Sequence, residues 1–88
     1  MNDQPQKIQD TTTLGTKIRQ ARKAQGLTQQ QLADSAGVGV RFLSELERGK
    51  DSAEVGLVLQ VLHSVGYEVV LEPRGLRSAE LFTFPDLE

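Results

Sequence analysis

Apolar positions in this chain recur mainly at helical spacing. Leu14, Ile18 and Ala21 make one stripe, and with possible caps at Thr11 to Thr13 and a stop at Gly26 they predict a helix over residues 13 to 25. Thr28 and Gln31 have the spacing of a capping box, in which each side chain satisfies a free N–H of the other residue. That starts a second short helix with Leu32, Ala33 and Ala36 inward and Gly37 at its end. Val38 fills the corner, and a third helix is predicted over residues 40 to 48, with Leu43 and Leu46 inward and Gly49 closing it.

A fourth helix, over residues 54 to 65, is more apolar than one buried face requires. Val55, Val58, Leu59, Leu62 and Val65 form the inward stripe, while Leu57 and Val61 lie four apart on a second face that asks for a partner. After Gly66 the period changes to two. Tyr67, Val69 and Leu71 alternate with Glu68, Val70 and Glu72 until Pro73 and Gly75, which is the one strand signal in the chain. A lone strand leaves its backbone groups unpaired, so pairing with the same strand of a second subunit is expected, with Leu57, Val61, Val69 and Leu71 as the dimer residues. Residues 1 to 11 read as a flexible arm, 12 to 66 as the folded domain, 67 to 73 as the dimerising strand and 74 to 88 as a flexible acidic tail. That tail carries Leu81, Phe82, Phe84 and Leu87, apolar groups that gain by ordering on another surface, although disorder or recognition by a protease are alternatives.

Composition narrows the function. Eighty-eight residues, 38% hydrophobic and 25% charged, hold one core. With no cysteine to staple so small a fold, self-association is an expected source of stability. The absence of thiols, of an 18-residue apolar span and of a signal-peptide core reads as cytoplasmic. A single histidine, His63, and no glycine-rich phosphate loop leave no nucleophile, base and acid to assemble; His63 reads as structural and no enzyme, metal or cofactor is expected. The formal charge of −2 hides an asymmetry. Up to Lys50 there are eight Lys/Arg against five Asp/Glu, a net +3; from Asp51 onward two Arg face seven acids, a net −5. The first half can meet phosphates and the second should point away from them.

Two short helices joined at a glycine, with small or apolar residues at the crossing (Ala33, Gly37, Val38, Leu43), have the form of a unit whose second helix enters a major groove. Arg22, Gly26, Leu27, Thr28, Gln29, Leu32, Ala33, Gly37, Val38, Leu43, Ser44, Glu47, Gly49 and Lys50 stand in the register of the Xre family, and the stretch resembles those phage-repressor and Cro-like helix-turn-helix proteins. The resemblance implies an all-α, lambda-repressor-like bundle of four to five helices, and the C-terminal strand narrows it toward HipB-type antitoxins, which repress their own operon and bind a HipA-type kinase toxin.

What the resemblance implies for single residues is specific. Gln29, with Gln30 beside it, would meet a phosphate at a helix start. Gly39, Val40 and Arg41 would open the recognition helix. There Arg41 can take guanine O6 and N7 or a phosphate, and Val40 can touch a thymine methyl. Gly39 replaces a polar residue often found there, which shifts some specificity to DNA shape. Ser44 would reach a base or phosphate, and Arg48 and Lys50 would take phosphates across the groove. Glu45 reads as solvated or cytosine-reading. Phe42 either packs on the domain or touches a thymine methyl. Arg22 and Glu47 would pair as a structural ion pair tying the first helix to the end of the third. The expectation is a dimeric repressor on inverted-repeat double-stranded DNA, the antitoxin of a HipA/HipB-like pair. A plain Xre-type regulator without a toxin partner is the alternative, and a downstream kinase-like gene would discriminate the two.

Overall fold

The computed structural model describes residues 6–74, in which four helices follow one another: α1 (Thr11–Ala24), α2 (Gln29–Ala36), α3 (Val40–Glu47) and α4 (Val55–Ser64). α1 starts two residues earlier than its apolar stripe predicts. Its cap is Asp10, whose carboxylate accepts from the Thr13 N–H at 2.7 Å. A carboxylate outcompetes the threonine hydroxyls here because it also meets the positive end of the helix dipole. The capping box on α2 is formed as expected: Gln31 N donates to Thr28 Oγ1 at 3.0 Å and Thr28 N donates to Gln31 Oε1 at 2.8 Å.

The helices enclose one core. Ile18 of α1, Leu32 and Ala33 of α2, Leu43 and Leu46 of α3, and Val58, Val61 and Leu62 of α4 are buried together with Val65. α3 packs on both α1 and α2, and α2 also packs on α4. Two ties between side chains and backbone fasten the ends. Thr11 Oγ1 donates to the Gly49 carbonyl at 2.7 Å, and Gln25 Nε2 donates to the Val65 carbonyl at 2.9 Å.

The fourth helix corrects the expected dimer face. Val61 is fully buried inside its own protomer, so it is not part of an open second face, whereas Leu57 is half-buried. The exposed apolar residues of α4 are instead Val55, at 69% exposure, and Leu59, at 47%, both assigned inward by the simple stripe. α2 packs on α4, and Val61 lies with Leu32 and Ala33 of α2 in the buried core. His63 is exposed rather than buried among apolar side chains.

Beyond Gly66, Tyr67 packs half-buried on the core, whereas Val69, Val70 and Leu71 are exposed. No β-ladder exists among the described residues. These residues, with Ile8, Leu14, Val55 and Leu59, line a groove of roughly 540 Å³. The expected tail contacts of Leu81, Phe82, Phe84 and Leu87 fall outside the described residues. No helix among those described is long and apolar enough to cross a membrane.

Candidate nucleic-acid interface

The turn between α2 and α3 sets the geometry of the candidate surface. Gly37 ends α2 at φ +75°, a left-handed conformation that costs a side chain with a Cβ about 1 kcal/mol or more. It reverses the chain so that Val38 N donates back to the Ala33 carbonyl at 3.0 Å. Ala33 and Leu43 are both fully buried in the core. Gly39 caps α3 with no side-chain hydrogen bond, which leaves Gly39, Val40 and Arg41 exposed at the helix start. That exposed opening is where the sequence placed base contacts.

Behind it lies the ion pair. Arg22 Nε donates to Glu47 Oε2 at 2.7 Å, Nη2 donates to Oε1 at 3.0 Å, and Nη1 donates to the Leu27 carbonyl at 2.8 Å. The two side chains are 9% and 2% exposed, so this is a desolvated two-point contact in which the third guanidinium nitrogen, Nη1, also has a partner. Hydrogen bonding to Glu47 holds the Arg22 guanidinium above its ordinary pKa, against the opposing effect of burial. Gln29 joins the same group. Its Nε2 donates to Glu47 Oε1 at 3.0 Å, so the first residue of α2 is held by the last residue of α3. The family resemblance anticipates the pair but not this third member.

α3 reaches this position because α1 lets it. A Cβ built on Gly15 would lie 2.4 Å from the Leu46 carbonyl oxygen and 2.7 Å from that of Glu47. Only a residue without a Cβ allows the last turn of α3 to approach the second turn of α1 so closely. Hydrophobic periodicity carries no mark of this contact.

The exposed side chains form a second group. Glu45 accepts from Lys50 Nζ at 3.0 Å and from Arg41 Nε at 3.4 Å. The hydrogen bond from Lys50 is the main cause holding the Glu45 carboxyl below its usual range, and Arg41 adds to it. Glu45 is thus neither simply solvated nor free to read cytosine in this state. Gln30 Nε2 donates to Asp34 Oδ1 at 2.9 Å along the exposed side of α2. Ser44 is half-buried in α3, Arg48 is exposed at its C-cap, and Phe42 packs against the core, which decides Phe42 in favour of packing. Among the described residues no cluster of His, Cys, Asp or Glu could hold a metal ion.

A short exposed helix start, braced by a second helix through a small-residue crossing and an ion pair, defines the helix-turn-helix class of DNA-binding proteins. The comparisons agree. The helix-turn-helix family model (HTH_3) matches residues 18–69. The chain is 44% identical over 68 residues to an uncharacterized HTH-type transcriptional regulator, y4mF, of Sinorhizobium fredii, covering 76% of this chain and 90% of that one. It is also similar to a chain in the solved structure of a HipA-HipB-O2-O3 complex, with a TM-score of 0.73 and 25% identity over 81% of this chain and 100% of that one. A chain of a HipB-O1-O2 complex gives a TM-score of 0.70 and 27% identity over 76% of this chain and 97% of that one. The protein belongs to the helix-turn-helix family and is a DNA-binding transcriptional regulator.

Proposed function

We propose that the protein is a sequence-specific repressor that acts in the cytoplasm as a homodimer on inverted-repeat double-stranded DNA, and that it is the antitoxin of a HipA/HipB-like pair, binding a HipA-like kinase toxin. The observation that carries the antitoxin reading is the likeness to HipB complexes over essentially the whole of that chain. Its operator contacts are Gln29, Gln30, Gly39, Val40, Arg41, Ser44, Arg48 and Lys50. Gly39, Val40 and Arg41 open the recognition helix at the base edges, with Arg41 taking guanine or a phosphate; Gln29, Arg48 and Lys50 face phosphates, and Ser44 either. Arg22 and Glu47 act by positioning Gln29.

Dimerisation supplies two recognition helices, since one two-turn helix has too few contacts for operator affinity, and the half-sites lie about one helical turn, roughly 34 Å, apart. The exposed Val69 and Leu71 support pairing through residues 67 to 73. The toxin would occupy surface away from the DNA, in the half of net charge −5. Both partners could then be held at once, and repression would strengthen with the complex. Co-expression with the product of the adjacent gene, followed by co-purification and gel shift, tests this. The expected result is a stable ternary complex. Full repression by this protein alone, with no neighbour bound, would instead make it a plain regulator of the same family.

A further inference from the structure

Glu45 is an acid on the helix expected to enter a polyanion, and it accepts from two of the cations expected to bind there, Arg41 at 3.4 Å and Lys50 at 3.0 Å. We infer that Glu45 is a specificity-determining residue: its carboxylate engages Arg41 and Lys50 in the free protein and opposes their use on DNA that offers nothing in return. The inference rests on reading α3 as the recognition helix.

Three features of the site lead there. Arg41 and Glu45 are one turn apart on α3, the spacing at which side chains meet on a helix surface. Lys50 arrives from beyond the helix, brought round by the chain reversal at Gly49, and Lys50 N donates to the Glu45 carbonyl at 3.1 Å. That backbone bond fixes the base of the lysine beside the acid, so the Lys50 pairing is built into the turn. Finally, Arg41 is 91% exposed while Glu45 is 27% exposed. The cation is free to swing away; the carboxylate stays.

On arbitrary duplex, moving Arg41 or Lys50 to a phosphate leaves the Glu45 carboxylate facing the negative potential of the groove with fewer partners. At a matching site the balance changes. Arg41 gains two acceptors on guanine, and Glu45 can itself accept from a cytosine amino group. The acid therefore weakens all binding, and nonspecific binding most. Exposed ion pairs are individually weak, so the effect is several-fold and not a hundredfold.

The test uses the full chain and a duplex selected by the wild-type protein from a randomised pool, alongside a scrambled duplex of the same length and composition. Glu45→Gln keeps the size and the hydrogen-bonding reach of the side chain but removes its charge. It should bind the scrambled duplex about three- to tenfold more tightly, with a salt slope steeper by about one to two, while affinity for the selected duplex rises less than about twofold. Glu54→Gln removes the same charge at an exposed position outside both the α2–α3 unit and residues 67 to 73, where the side chain makes no cap hydrogen bond, and should leave the ratio of the two affinities unchanged. An equal gain on both duplexes, or no gain on either, with an unchanged melting temperature, overturns the inference while leaving the DNA reading intact. Failure of the wild-type protein to retain any duplex overturns both.

Discussion

Arg22 and Glu47, twenty-five residues apart in the chain, make a two-point contact at 2.7 and 3.0 Å, and the same Glu47 carboxylate holds Gln29 at 3.0 Å. Removing one partner leaves a buried charge alone, so Glu47→Ala should cost about 3–5 kcal/mol in urea unfolding. Replacing both with apolar residues, Arg22→Met with Glu47→Leu, should recover most of that stability. The double variant separates two roles. If Glu47 positions Gln29, the variant stays folded but binds operator more weakly; operator affinity equal to wild type would restrict the pair to stability.

Gly15 and Gly56 should respond to alanine with opposite sign. At Gly15 the added Cβ meets backbone carbonyls at 2.4 and 2.7 Å, and overpacking of this kind costs about 1–3 kcal/mol. At Gly56, in α4, it meets nothing within 4 Å, and the helix gains up to about 1 kcal/mol. Thermal unfolding of the two variants checks both. Stabilisation by Gly15→Ala would mean that α1 and α3 are farther apart than described.

Acid should loosen the α1 cap before it touches the core. The Thr13 N–H holds the Asp10 carboxyl below its ordinary value of 3.8. A carboxyl lowered on folding contributes stability that is fully present above its unfolded pKa and is lost as pH falls through the folded value. Stability should therefore fall below about pH 4, and Asp10→Asn should flatten that part of the profile. Glu45, lowered from 4.5 chiefly by Lys50, adds a contribution of the same sign, which Lys50→Ala should reduce. A profile between pH 3 and 5 that is identical for wild type and Asp10→Asn would contradict the capping role.

The capping box at Thr28, the glycine turn and the inward Leu32, Ala33, Leu43 and Leu46 were legible in the sequence because each rests on local spacing. The Arg22–Glu47 pair was legible only through family resemblance. What escaped the sequence depends on distance in three dimensions. Gly15 reads as an ordinary weak helix position until α3 is laid against it, and Gln29 gains Glu47 only after the fold closes. The pairing of Arg41 with Glu45 did carry a signal, the four-residue spacing of opposite charges. Val61 was misplaced for a related reason: which residues of so apolar a helix are covered depends on how it packs in the fold, and Val61 lies in the core with Leu32 and Ala33 of α2.

The corrected α4 surface changes the mutations that test the dimer. Leu59→Glu should reduce the dimer fraction in sedimentation at micromolar concentration with little loss of protomer stability, because Leu59 is 47% exposed. Val61→Ala should instead cost about 2 kcal/mol of folding free energy through the cavity it leaves. Leu71→Pro, at a side chain 91% exposed in the protomer, should abolish strand pairing by removing a backbone donor. A monomeric wild type, or a Leu71→Pro variant with unchanged mass and DNA affinity, would contradict pairing through residues 67 to 73.

Quantitative gel shift of wild type, Arg41→Ala and Lys50→Ala, on the selected duplex and on single-base variants of it across a salt series, tests the DNA-reading assignment most directly. Arg41→Ala should cost about 1–3 kcal/mol on the selected duplex and relax preference at one position in each half-site. Lys50→Ala should weaken all sequences alike and reduce the salt slope by about one. Affinity, base preference and salt slope unchanged by both substitutions would contradict the assignment of α3 as the helix that reads DNA.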